Sequence, residues 1–157
     1  MTEVKSHIDT HYLYPSALYA EAEPRMVNTV LGSCISVCLF DSTNNIGGIN
    51  HYMLPLWNGK GLASPKYGNI AITKLLQRML DLGSTKEGLV AKVFGGANQT
   101  NSSIGVGERN IQVAHEMLRE LGIRVVAKSV GGSVGRKLNF NTSTGEVMMK
   151  YVKRRQE

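Results

Sequence analysis

Apolar positions fall into short runs closed by turn residues. Residues 26–31, 35–40 and 46–53 are three such runs, the last two joined by Asp41-Ser42-Thr43-Asn44-Asn45. Short apolar runs bounded by Gly, Asn, Asp and Ser read as paired strands. A Gly-, Ser-, Pro- and Lys-rich stretch over 55–68 then reads as a long loop. A helix follows over about 69–82, because Ile72, Leu75, Leu76 and Met79 recur at helical spacing and Gly83 stops it. Residues 89–94 are apolar with β-branched and aromatic members, hence a strand. It empties into the loop Gly95-Gly96-Ala97-Asn98-Gln99-Thr100-Asn101-Ser102-Ser103. A second helix is predicted over about 108–121, with Ile111, Ala114, Leu118 and Leu121 on one face and Gly122 past its end. A strand over 123–130, a turn at Gly131-Gly132-Ser133-Val134-Gly135 and a closing hairpin of 137–140 with 146–152 complete the pattern. Residues 1–25 lack clean periodicity and read as an irregular lead-in with one strand inside 11–18.

Strands first, then strands alternating with helices, then a hairpin: this order predicts an α/β protein with mixed sheets. At 157 residues the chain fits one domain spanning 1–157, with 153–157 as a basic tail. No apolar stretch approaches a membrane span and no leader pattern opens the chain, so a cytoplasmic protein without membrane insertion is expected. The net charge of +6 is partly gathered in Lys150, Lys153, Arg154 and Arg155. That cluster reads first as a solvated tail and second as a dock for an acidic protein. Nucleic acid comes last, since no basic stripe is interleaved with stacking aromatics.

The chemistry concentrates in Leu31-Gly32-Ser33-Cys34 and, seventeen residues on, His51. A cysteine directly after a Gly-Ser turn, at the head of a strand, presents its sulfur beside backbone N–H groups. An imidazole one strand away is the base such a thiol needs. Cys34 is therefore the candidate nucleophile and His51 its base, with the N–H groups of Ser33 and Cys34 as oxyanion donors. Cys38, inside the apolar run, reads as a structural core thiol. A zinc site from Cys34, Cys38, His51 and His115 is the competing reading of the same residues, but Cys-x3-Cys is an uncommon ligand spacing. No metal and no cofactor is expected. The glycine-rich segments lack the Gly-Lys-Ser/Thr continuation of a phosphate loop and the three-glycine dinucleotide fingerprint. Phe94, Gly95, Gly96, Ala97 and Asn98 are read as a substrate or partner surface.

Several ordered motifs carry a resemblance: Leu31-Gly32-Ser33-Cys34 with Val37-Cys38, His51 with Met53-Leu54-Pro55, Lys66-Tyr67-Gly68, Lys92-Val93-Phe94-Gly95-Gly96-Ala97, Gly107-Glu108-Arg109-Asn110, and Gly131-Gly132 with Gly135-Arg136-Lys137. Over most of its length the chain resembles the chemoreceptor glutamine deamidases, the CheD family. The resemblance implies a layered α/β/β/α sandwich of the cysteine-hydrolase and toxin-deamidase kind. It also implies conversion of receptor glutamines to glutamates with release of ammonia, through a Cys-His thioester mechanism. Thr29 is the residue it implies as the third catalytic group. Chemoreceptor cytoplasmic helices are the implied substrate and a CheC-type phosphatase the implied partner. Two other readings stay open on sequence: a regulatory module that binds receptor or phosphatase without chemistry, and a thiol hydrolase of receptor methyl esters.

Overall fold

The computed structural model describes residues 8–98 and 105–152. The basic tail and the 99–103 part of the glycine-to-serine loop lie outside the described residues. Among the described residues, nine strands form two sheets. In chain order they are β1 (Thr10–Tyr12), β2 (Leu18–Ala20), β3 (Met26–Leu31), β4 (Ile35–Asp41), β5 (Ile46–Asn50), β6 (Leu89–Gly95), β7 (Arg124–Val130), β8 (Arg136–Asn141) and β9 (Val147–Tyr151). Two helices, α1 (Gly68–Asp81) and α2 (Val106–Leu121), and a short 3-10 turn, Lys86–Gly88, join them. One sheet runs β1-β3-β8-β9 and the other β2-β5-β4-β6-β7.

The central strand β4 is buried along nearly its whole length, which is why its sequence is a continuous apolar run rather than an alternating one. Its odd positions, Ile35, Val37 and Leu39, pack with the helices in one core. Cys38, and Cys34 before it, turn to the other face and pack with Leu13, Val27, Leu31, Phe94, Leu138 and Phe140 between the two sheets. Helix α1 lies on β2, β4 and β5, and α2 on β4, β6 and β7. The layers are thus helices, five-stranded sheet, four-stranded sheet. The outer helical layer of the expected α/β/β/α sandwich is absent among the described residues, because both helices cover the same sheet face. Helix α2 is the crossover between β6 and β7, which pair in parallel, whereas the β4–β5 and β4–β6 pairs are antiparallel.

Two elements differ from the sequence expectation. The lead-in holds two short strands rather than one inside 11–18. Pro15 has no N–H to give a ladder, Ser16 sits at a left-handed φ of 70°, and the chain turns there from one sheet to the other. Leu13, fully buried, pins the corner. Strand β5 ends at Asn50, not residue 53. Beyond it only Tyr52 still pairs with the β4 side, at Ile35, because the N–H groups of Met53 and Leu54 both turn to the carbonyl of Lys66 and Leu54 bridges to Tyr67 instead.

Candidate active site

Side-chain alternation decides what faces what. On β3, Val27, Thr29 and Leu31 are buried while Asn28 and Val30 face outward, so Thr29 points into the space between the sheets. The antiparallel pair Ile35↔Tyr52 continues the β4–β5 register, Cys38↔Ile49. That register puts Ser36 opposite His51 and Cys34 opposite Met53. Cys34 and His51 are therefore diagonal neighbours on the face that looks toward Thr29. The main chain of His51 is held on its other side as well, its N–H donating to Ala17 O and its carbonyl accepting from Ser16 N–H.

The Thr29 hydroxyl oxygen lies 2.7 Å from His51 Nδ1 and 2.8 Å from the carbonyl oxygen of Leu13. A carbonyl only accepts, so the single hydroxyl proton goes to Leu13. The hydroxyl must then accept from His51, which fixes the proton on Nδ1 and leaves the lone pair on Nε2. This bond joins the two sheets, and both residues are almost wholly buried. Burial pushes the imidazole down to about 4, so the ring is neutral at physiological pH. Burial also raises the Cys34 thiol, partly offset by a hydrogen bond from its own N–H. The resting pair is thus thiol and free base. No hydrogen bond joins Cys34 to His51 in this structure, a contact that substrate-free sites often leave loose.

The turn before Cys34 is laced from behind by the segment after β6. Gly96 N–H donates to Cys34 O at 2.9 Å and Ala97 N–H to Gly32 O at 3.0 Å. Gly95 has a φ of +111°, and a side chain there would collide with the Cys34 carbonyl. These contacts correct the surface reading of 94–98. Phe94, Gly95, Gly96 and Ala97 are buried supports of the cysteine turn, and Asn98 alone is exposed. The Gly-Gly signal marked close backbone approach, here to the site's own main chain.

The same divergence that ends β5 frees the site's donors. In a continued ladder Leu54 would pair with Ser33. Its N–H instead goes to Lys66 O and its carbonyl takes Gly68 N–H. Among the described residues, the Ser33 N–H is left without a protein acceptor, and the Cys34 N–H has only its own sulfur. Ser33 O is taken up by the side chain of Asn110, on α2, at 2.9 Å. Leu13 and Asn110 escaped the sequence reading. Leu13 acts through a carbonyl, which leaves no sequence signal, and Asn110 stood only as one letter of the Gly107-Glu108-Arg109-Asn110 motif. Cys38 is fully buried, its thiol raised strongly by burial, in keeping with a core role.

The fold and this cluster define an α/β sandwich carrying a thiol at a strand head beside a buried, hydroxyl-held imidazole, a layout suited to acyl chemistry. Comparison with known proteins narrows the class. The family model described as CheD chemotactic sensory transduction matches residues 53–151. A probable chemoreceptor glutamine deamidase CheD of Sulfurimonas denitrificans is 50% identical over 147 residues, covering 91% of this chain and 94% of that protein. The Trichlorobacter lovleyi protein of the same description is 52% identical over 147 residues, covering 92% and 91%. That of Rhodospirillum rubrum is 40% identical over 146 residues, covering 90% and 81%. The chain belongs to the CheD family. The matched family span begins two residues after His51, so the case for the Thr29, Cys34 and His51 cluster rests on geometry.

Proposed function

We propose that the protein is a chemoreceptor glutamine deamidase, hydrolysing the side-chain amide of selected receptor glutamines to glutamate and ammonia. The observation that carries the mechanism is the Thr29–His51 bond, whose donor order leaves Nε2 unprotonated on the side of the sheet where Cys34 sits. Nε2 takes the Cys34 proton as sulfur attacks the carboxamide carbon. The oxyanion is met by the N–H groups of Ser33 and Cys34. The imidazolium so formed is a reluctant cation, since burial disfavours its charge, and it hands its proton to the departing nitrogen. Ammonia leaves and a γ-glutamyl thioester remains. Water, deprotonated by the same Nε2, then attacks the thioester and releases glutamate and free thiol.

The substrate class follows the names of the relatives, and on that footing we read the receptor's cytoplasmic helices as the substrate and the cytoplasm as the place of the enzyme's work. No helix among the described residues is long and apolar enough to cross a membrane. On the same family footing we read a CheC-type phosphatase as the regulatory partner. We also read the stacked sheets under one helical layer as a member of the cysteine-hydrolase sandwiches. Peptide mass spectrometry of a receptor cytoplasmic fragment tests the activity. Deamidation adds about one dalton at a glutamine, whereas hydrolysis of a methyl ester removes a methyl group from a glutamate. Mass gain with wild type and none with Cys34→Ala supports the reading. Methyl loss alone overturns it in favour of an esterase, and binding without any mass change in favour of a regulatory module.

A further inference from the structure

Asn110 is the fifth residue of α2 and has no exposed surface. Its side-chain nitrogen donates to Ser33 O at 2.9 Å and to Met53 O at 3.1 Å. Both neighbours are carbonyls, which fixes the orientation of the amide: only the NH2 end can face them, and both of its protons are used. Ser33 immediately precedes Cys34. Met53 stands two residues after His51 and opposite Cys34 in the register. One side chain therefore bridges the two strands at the point where their ladder opens and backbone pairing can no longer hold them. The amide occupies the place that the diverted Leu54 N–H leaves empty.

Two further contacts set this bridge on a rigid base. The buried hydroxyl of Tyr52, next to His51, donates to the Asn110 main-chain carbonyl at 2.5 Å, tying the start of α2 to the strand it must hold. The Asn110 side-chain oxygen, by contrast, is buried without a partner. An orphaned buried acceptor is destabilising, so this position favours the double donor at some expense of stability.

We propose that Asn110 is a positioning residue of the deamidation site, fixing the separation between the cysteine turn and the segment that carries His51. This rests on the Cys34–His51 reading above. Without the amide, Ser33 and Met53 carbonyls both lose their donor and the open end of the ladder is free to splay. Sulfur and imidazole are then misaligned while the surfaces that meet a receptor helix are untouched.

The test is the steady-state kinetics of Asn110→Ala on a receptor fragment, alone and in a His51→Ala background, beside Cys34→Ala. Misplacement of reacting groups by an ångström costs on the order of 100-fold, so kcat should fall by about that factor with KM within about twofold. If Asn110 acts through alignment with the imidazole, the same substitution in His51→Ala should cost less than about threefold more. Asn110→Ser, which can serve one carbonyl but not both, should fall between, and it keeps the test open should Asn110→Ala not fold. A kcat within about threefold of wild type for the folded variants, or a full penalty retained in the His51→Ala background, overturns the positioning role. If Cys34→Ala itself retains deamidation, the nucleophile reading falls and this proposal with it. If Cys34→Ala is inactive and Asn110→Ala is not impaired, only the positioning role falls.

Discussion

Removing the Thr29 hydroxyl while keeping its shape, as Thr29→Val does, attacks the account at its hinge. Two buried groups lose their partner together: the Leu13 carbonyl loses its donor and His51 Nδ1–H its acceptor. At about 1–3 kcal/mol for each orphaned group, less about 0.8 kcal/mol for the methyl gained, the fold should lose roughly 1–5 kcal/mol. The catalytic effect has the same origin. With a methyl group beside Nδ1, the ring no longer gains by carrying its proton there, and the tautomer with an occupied Nε2 takes over. A bias of 1–3 kcal/mol corresponds to roughly a 5- to 150-fold loss of the competent base. Ammonia release from a receptor fragment, assayed well below the variant's Tm, should therefore show kcat reduced by about 5- to 150-fold at nearly constant KM. Thr29→Ser restores the hydroxyl and should recover activity to within a few-fold. A folded Thr29→Val enzyme with kcat within about twofold of wild type would refute the assignment of the proton to Nδ1.

Four other consequences are open to measurement. Because burial holds the His51 imidazole near 4, the acidic limb of kcat/KM should fall near pH 4 rather than near 6.5. Stability should follow from the same shift: the unfolded chain takes up a proton below pH 6.5 that the native site refuses until about 4, so roughly 3 kcal/mol is lost as pH falls through that window, and urea unfolding of His51→Gln should show a flatter pH dependence there. Gly95→Ala adds a side chain at a positive φ against the Cys34 carbonyl, so it should cost at least about 2 kcal/mol and lower kcat, whereas a wild-type Tm would contradict the packing described. Ser36 is fully buried with an unpartnered hydroxyl, so Ser36→Ala should leave the Tm unchanged or raise it, and a loss beyond about 1 kcal/mol would reveal a partner for that oxygen.

The strands and helices that bury an apolar face were legible from periodicity, since burial is what the pattern encodes. Helix α1 and strands β3, β4 and β6 fall where Ile72, Leu75, Val27 and Val93 require a covered side. What periodicity could not supply is where a strand stops for lack of a partner. Strand β5 ends early because Lys66, far along the loop, captures two N–H groups, and nothing in residues 51–54 announces it. The lead-in misled for a similar reason, as β1 and β2 are three residues each and serve different sheets. Of the candidate site, Cys34 and His51 could be named from sequence as residue types, one at a turn and the other just past the end of β5. The surface role given to 94–97 was wrong because glycines that admit a substrate and glycines that admit another stretch of backbone look alike in sequence.

The central claim is that Cys34 attacks the glutamine amide and carries the acyl group. Rapid acid quenching of enzyme with excess receptor fragment, followed by intact-mass analysis and peptide mapping, looks for that intermediate directly. The account predicts an adduct equal to the fragment's mass less ammonia, attached at Cys34, formed by wild type and absent from Cys34→Ala. Continued deamidation by Cys34→Ala, or turnover by wild type with no acyl group on Cys34 at any quench time, would contradict it.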